Sequence, residues 1–430
     1  MPTKPDDILA IRDLEVHFEQ SGSSLSRLLG RPSGTVKAVD GINITLQRGE
    51  VLGLVGESGS GKTTLGRAIL GLVPATSGTI TYTPPAGEGV DIATLKGATL
   101  RSMRQRLQMV FQDPSAALNP SMTLETAIGH PLVIHKVASG EELRQRVIAS
   151  LERVGLSPAE QFLSKYPSDL SGGQKQRAVM ARAIIVGPEL VVADEPVSML
   201  DMSVRAKVLQ LMLDLKRDLG LTYVYVTHDL ATAKFFCDRV AIMYLGKIVE
   251  IGPSDEIFAD PKHPYTKSLL KAIPDPDPSK AIPRDLPRGE IPDAARPPKG
   301  CSFHPRCPMA RNDCGWEPRD LKSLVEEHWT TTDLATFERE HELVGHLVEL
   351  NTSAGEVVVE PHRGKGSPDD VWAMFSAIKD ARPDEPLWRG VTSMEKTPAG
   401  VKFVFAPSSP VNLRASGASE VACVLYPSAP

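Results

Sequence analysis

The sequence predicts an α/β fold built on a parallel sheet, followed by a loop-rich C-terminal region. Three short apolar runs carry that expectation: Val51–Val55, Leu190–Ala193 and Thr222–Val226. Each has the length and β-branched content of a buried strand. Each ends in residues that carry chemistry: Gly56, Asp194-Glu195 and Thr227-His228. Apolar residues at helical spacing come between them, such as Leu65, Ala68, Ile69 and Leu72 after the first run. Alternating strands and helices give a parallel sheet with helices packed on it.

Gly56-Glu57-Ser58-Gly59-Ser60-Gly61-Lys62-Thr63 fits G-x-x-x-x-G-K-[ST]. Its glycines let backbone N–H groups turn inward on an anion without Cβ clashes. Lys62 supplies a point charge for the β- and γ-phosphates, and the Thr63 hydroxyl is placed to ligate Mg²⁺. Thr64 follows in the first helical turn and joins the nucleotide-binding set. The positive end of the helix adds to the field. The alternative is an incidental glycine-rich turn. A strand before the loop and a helix after it decide against that.

In Leu170-Ser171-Gly172-Gly173-Gln174, Ser171 stands where an N-cap would, ahead of helical spacing through Gln176, Met180, Ala183 and Ile184. Gly172 and Gly173 expose N–H groups in the first turn, another anion site. Asp194, at the tip of a strand beside the phosphate loop, can hold Mg²⁺. Glu195 can polarise the attacking water as general base. A lone histidine after a strand is more often structural. His228 trails a second strand of the same sheet, which favours a γ-phosphate contact.

With these residues in hand, positions 1 to about 320 resemble the ATPase subunit of an ABC transporter. The motifs stand in that family's order: Gly56–Thr63, Gln112, Leu170–Gln174, Leu190–Glu195, Ser198-Met199-Leu200-Asp201 and His228. The resemblance implies a RecA-like core with an antiparallel β subdomain and a helical subdomain. It implies ATP and Mg²⁺ as ligands, with Thr63, Gln112 and Asp194 around the metal. It also implies that Gln112 links that site to a membrane partner, and that Ser171, Gly172, Gly173 and Gln174 contact ATP held by an opposite subunit. Asp201 belongs to the segment between the two. Phe18 falls where the family has its adenine-stacking aromatic; the other reading is a core residue of an edge strand. Met199 replaces the usual alanine and is read as a tolerated variant.

Composition bounds the rest. The chain has 430 residues, enough for two or three domains, and 41% of them are hydrophobic, enough for real cores. A net charge of −5 gives no basic field for nucleic acid. No apolar run approaches the roughly 20 residues of a membrane span, and Met1–Asp7 lacks a secretory apolar region. The expected location is therefore the cytoplasm, on the inner face of the cytoplasmic membrane through partner proteins. Five cysteines, an odd number, argue against a disulfide framework.

The expected organisation is an ATPase domain over 1–252, with a helical subdomain at about 113–165. The latter rests on Leu124, Ile128, Leu132 and Val133, then Leu143, Val147, Leu151 and Val154. Prolines rise sharply from 252, predicting an extended, loop-rich segment over 253–320. His263-Pro264-Tyr265-Thr266-Lys267-Ser268-Leu269-Leu270 and Phe111-Gln112-Asp113-Pro114 resemble the oligopeptide and dipeptide importer branch. Leu65–Leu70 and Ala272–Pro276 resemble the second of the two ATPases in such importers. That implies a heterodimer with a related ATPase, two membrane-spanning permease subunits and, indirectly, an extracytoplasmic solute-binding protein. Nickel, opine and oligosaccharide importers share these features.

Cys301, Cys307 and Cys314 lie close enough in sequence to favour a soft metal. In the branch just named, this pattern and a later Val-Ala-Cys resemble the ligands of a 4Fe–4S cluster, and Val421-Ala422-Cys423 supplies that context here. A Cys₄ zinc site and four reduced thiols are the alternatives. Cys423 comes about a hundred residues after Cys314, far later than the branch's pattern. The intervening 321–415 is an unfamiliar insertion, expected to be a small α+β module of regulatory or merely decorative role. Its expected strands are Leu343–Leu350, Val357–Val359 and Val401–Phe405, its helix Asp369–Ala381, and its core Trp329, Trp372 and Trp388. Residues 416–430 form the tail that carries Cys423. Cys237 reads as a small core residue.

Two classes of function fit such an ATPase: an import motor, or a soluble ABC protein of DNA repair or translation. The second class carries paired ATPase units, long coiled coils or basic surfaces. None of those is legible here.

Overall fold

The computed structural model describes residues 6–19, 34–273, 289–345 and 355–426. The chain divides into two compact units, Met1–Asp260 and Pro261–Pro430.

The first unit is built on a sheet whose central strands are parallel. Its strands lie in the spatial order Lys247–Pro253, Arg239–Tyr244, Val51–Val55, Thr222–Thr227, Leu190–Asp194 and Leu107–Val110. Every residue of Val51–Val55, Leu190–Asp194 and Thr222–Thr227 is buried. That is why these runs read as continuous apolar segments: helices cover both faces of the sheet. Register then decides where the chemistry falls. Val55 pairs with Thr227, and Asp194 pairs with Val226. The carboxyl ends of three strands therefore finish level, with Gly56, Glu195 and His228 just beyond them.

A second, antiparallel sheet has the order Thr35–Gln47, Asp7–Glu19, Ser77–Tyr82 and Val90–Asp91. Asp7–Glu19 is flanked on both sides, so it is not the edge strand expected around Phe18. The Phe18 ring is 44% exposed. The core reading fails for this residue, because it lies beyond the last residue of its strand paired with Ser77–Tyr82.

The helical region is present as Pro114–Ala117, Leu124–Ile134, Gly140–Arg153 and Glu160–Leu163. Leu124, Ile128, Leu132, Val147, Leu151 and Val154 are buried as their spacing predicts. Val133 is exposed instead, one position off the buried stripe. Leu72 is also exposed, since its helix ends at Ile69.

Within the described part of the segment expected to be loop-rich there is one α-helix of the second unit, Pro264–Lys271. The other long helices, Pro318–Thr331, Leu334–Val344 and Pro368–Ala381, fall in or run into the insertion expected to be α+β. His263 caps Pro264–Lys271, accepting the Tyr265 N–H through Nδ1. Pro274, Pro276, Pro278, Pro283 and Pro287 lie outside the described residues. The insertion is a three-stranded antiparallel sheet, Glu356–Val359, Val401–Phe405 and Val391–Lys396 in spatial order, packed by Pro368–Ala381. Its core is Val371, Phe375, Ile378, Val401 and Phe403, with the Phe375 and Phe403 rings edge-on at 4.8 Å. The three tryptophans are only partly buried. Leu343 and Val344 end a helix rather than open a strand; 346–350 lies outside the described residues. A hairpin, Arg414–Ser416 with Ser419–Val421, leads into Cys423.

Candidate functional site: a nucleotide cradle and a thiol cluster

The phosphate loop wraps its own lysine. Lys62 Nζ donates to the carbonyls of Gly56 and Glu57, both at 2.8 Å, and to Ser60 Oγ at 3.3 Å. Burial holds the Lys62 ammonium below its usual range, opposed by the charges of Glu195, Asp194 and Glu57. The glycines are sterically required at two points. A Cβ on Gly56 would stand 2.2 Å from the Met243 carbonyl oxygen. Gly61 has φ +101°, and its Cβ would stand 2.0 Å from the Ala38 carbonyl oxygen. Ser58 and Gly59, at the loop's tip, are exposed.

Thr63 lies in the first turn of the helix Lys62–Ile69, and its Oγ1 donates to Asp194 Oδ1 at 3.0 Å. Burial pushes the Asp194 carboxyl above its usual range, partly offset by the Thr63 hydroxyl. A divalent cation at this pair would relieve that penalty. Glu195 is the next residue, and it has φ +46°. A left-handed glutamate costs about 1–3 kcal/mol and persists only where its surroundings impose it. Here they do. Its N–H donates to the Val226 carbonyl, its carbonyl accepts from Ser198 Oγ, and its side chain is held at both oxygens. Gln112 Nε2 donates to Oε2 at 3.0 Å, and His228 Nδ1 lies 3.0 Å from Oε1. The fold thus gathers Lys62, Thr63, Gln112, Asp194, Glu195 and His228 at one edge of the sheet.

The Leu170–Gln174 segment is built differently. Ser171 Oγ accepts from the Gln174 N–H, and Gln174 Oε1 accepts from the Ser171 N–H, a reciprocal cap on the helix Gly172–Ile184. Ser171 and Gly172 are exposed. Gly173 faces Val204, where a Cβ would come within 2.6 Å of Cγ1. Asp201 caps the neighbouring helix Met202–Leu219 by accepting the Val204 N–H. One link was not legible in the sequence: Arg205 pairs with Asp229 at 2.9 Å and donates to the Leu200 carbonyl. It ties the Asp201 segment to the residue after His228. Thr64 is partly buried in the helix after the loop. Phe18 is half-exposed near the end of its strand.

Matches to known families agree with this geometry. A family model described as ABC transporter matches residues 39–198. A putative peptide import ATP-binding protein of Brucella ovis is 42% identical over 322 residues, covering 75% of this chain and 96% of that protein. The chain belongs to the ATP-binding subunits of ABC transporters. A second model, the oligopeptide/dipeptide transporter C-terminal region, matches 249–314. The oligopeptide transport ATP-binding proteins OppF of Escherichia coli and AppF of Bacillus subtilis are 45% and 42% identical, over 71% and 76% of this chain and 90% and 98% of theirs. This ABC subunit is thus an ATPase of the oligopeptide/dipeptide branch. No helix among the described residues is long and apolar enough to cross a membrane.

The four cysteines of the second unit converge. Cys301, Cys307, Cys314 and Cys423 line one small cavity with His263 and His304. All four are buried. Gly300 and Gly315 bring the first and third together. The Cys301 N–H donates to the Cys314 carbonyl, and a Cβ on Gly300 would meet that oxygen at 2.4 Å. Three sulfurs face backbone donors: Cys301 the Phe303 N–H, Cys307 the Met309 N–H and Cys314 the Arg311 N–H, the last at 3.1 Å. Burial pushes the Cys301 thiol up and Cys307 up to about 12. Among the described residues, Glu15, His17 and Asp40 are the one set that brings three ligand atoms within 4.8 Å of one another; no three of these thiols do. Lys37 and Lys247 already pair with Asp40 there. Cys237, outside the group, is buried against Gly53.

Proposed function

We propose that this ATPase drives import of peptides or a related small solute through two membrane-spanning permease subunits. It pairs with a second, related ATPase and serves a solute-binding protein indirectly. The observation that carries the reading is the Glu195 carboxylate, held between Gln112 and His228 beside the Thr63–Asp194 pair. Lys62 and the loop N–H groups bind the phosphates, with Ser58, Gly59 and Thr64 completing the cradle. Thr63, Asp194 and Gln112 surround Mg²⁺. Glu195 takes a proton from the attacking water, and His228 contacts the γ-phosphate. The exposed Ser171 and Gly172, with Gly173 and Gln174 beside them, suit a nucleotide held by the partner ATPase. Phe18, exposed at the end of its strand, is available to stack on adenine. Location on the inner face of the cytoplasmic membrane follows from the permease partners.

The test is reconstitution. Co-expressed with candidate permease, ATPase and solute-binding proteins of an oligopeptide importer, the chain should co-purify with the membrane subunits and support ATP-dependent uptake of labelled oligopeptides into vesicles. Co-purification with nucleic acid or ribosomes would contradict the reading.

The thiol cluster suits a 4Fe–4S group. A mononuclear zinc at about 2.3 Å from each sulfur holds its thiolates about 3.8 Å apart. The wider spread here suits a cubane, in which each thiolate binds a different iron. Backbone N–H groups aimed at three sulfurs would stabilise thiolate charge. Cys301, Cys307, Cys314 and Cys423 would hold the cluster, which when bound supplies one-electron chemistry. Anaerobically purified protein should be brown, with iron and sulfide near four per chain; colourless protein with stoichiometric zinc would reverse the assignment.

A further inference from the structure

We infer that His263 donates a hydrogen bond from Nε2 to the sulfur of Cys301 and thereby sets the reduction potential of the cluster bound there. The inference rests on the 4Fe–4S reading above. His263 is fully buried at the start of the helix Pro264–Lys271. Its Nδ1 lies 3.1 Å from the Tyr265 backbone nitrogen, whose N–H can only donate. Nδ1 therefore presents its lone pair, and the ring proton sits on Nε2. That nitrogen stands 4.0 Å from Cys301 Sγ. Capping the helix thus fixes the tautomer that aims an N–H at a sulfur.

The packing leaves the ring little freedom. Phe303 lies tilted against it at 5.9 Å between centroids. Cys301 already faces the Phe303 N–H. It is the thiol that His263 singles out for a side-chain donor, whereas Cys307 and Cys314 face the backbone donors named above. Donors to a ligating sulfur stabilise the more reduced, more negative cluster and raise its potential.

Substitution separates the two jobs of His263. Asn is among the best N-caps and can accept the Tyr265 N–H, but it is too short to reach the sulfur. The anaerobically purified full chain carrying His263→Asn should keep wild-type iron and sulfide. In a dye-mediated potentiometric titration its reduction equilibrium constant should fall at least threefold, about 28 mV more negative at 59 mV per decade for one electron. His263→Ser, also a strong cap without a donor in reach, should match it and serves if the Asn variant does not load. A brown wild type with unchanged potentials in the loaded variant overturns this inference alone. A colourless wild type overturns the cluster reading and this inference with it.

Discussion

Thr63 donates its hydroxyl to Asp194 across 3.0 Å, joining two residues 131 positions apart in the chain. The contact ties the first turn of the phosphate-loop helix to the end of a neighbouring strand, and a hard cation bound there would draw on both oxygens. Thr63→Val removes one of them while keeping volume. We expect ATP binding with Mg²⁺ to weaken by about tenfold, a loss of ~1.4 kcal/mol on the scale of one hydrogen bond to a charged group. Nucleotide affinity in excess chelator should barely change. Isothermal titration with and without Mg²⁺ checks this.

Asp194 is also a stability liability. Its folded carboxyl is raised, chiefly by burial. A raised carboxyl favours folding below its unfolded range, and that contribution is lost as pH rises through the folded value. Near neutral pH the free protein therefore carries a penalty. Asp194→Asn should melt higher than wild type near pH 7 without Mg²⁺, and the gap should close as pH falls into the carboxylate range. Thermal melts across that span decide it. A gap that widens toward acid would contradict the sign.

Gly61→Ala places a side chain at φ +101° against the Ala38 carbonyl. The left-handed conformation alone costs about 1–3 kcal/mol. Relief of the clash must also distort the loop that cradles phosphate. ATP affinity should fall more than tenfold and the melting temperature should drop. Equilibrium dialysis and calorimetry would each detect it.

Ser171→Arg separates own-site from partner-site roles. It removes an N-cap, worth about 1 kcal/mol, on an exposed face. ATP affinity of the isolated chain should stay at the wild-type level, while hydrolysis by the assembled complex falls at least tenfold. Lost binding in the isolated chain would place Ser171 at its own nucleotide instead.

The legible parts of this molecule share one property: local residues specify them. Val51–Val55, Leu190–Asp194 and Thr222–Thr227 are wholly buried and short, so their apolar runs stand out. Glu195 and His228 were legible as strand-end residues. Their meeting was not, because it depends on the register that sets Asp194 opposite Val226. The core of the insertion departs from the sequence expectation for a related reason. Tryptophans suggested burial, but Phe375 and Phe403 fill the space between helix and sheet. Leu343 and Val344 have strand-like character, yet the Asp333 cap starts a helix that carries through them. His263 was visible as part of a segment. That it faces Cys301 depends on packing within the second unit.

The most direct test of the central claim is the fate of ATP bound to Glu195→Gln. Glutamine can still occupy the place between Gln112 and His228, but it cannot accept a proton from water. Incubated with γ-labelled ATP and Mg²⁺, the assembled complex should bind nucleotide as tightly as wild type. Hydrolysis should fall on the order of 10²–10⁴-fold, so the label should be recovered as intact ATP. Phosphate release at the wild-type rate would contradict the assignment of Glu195 as the base.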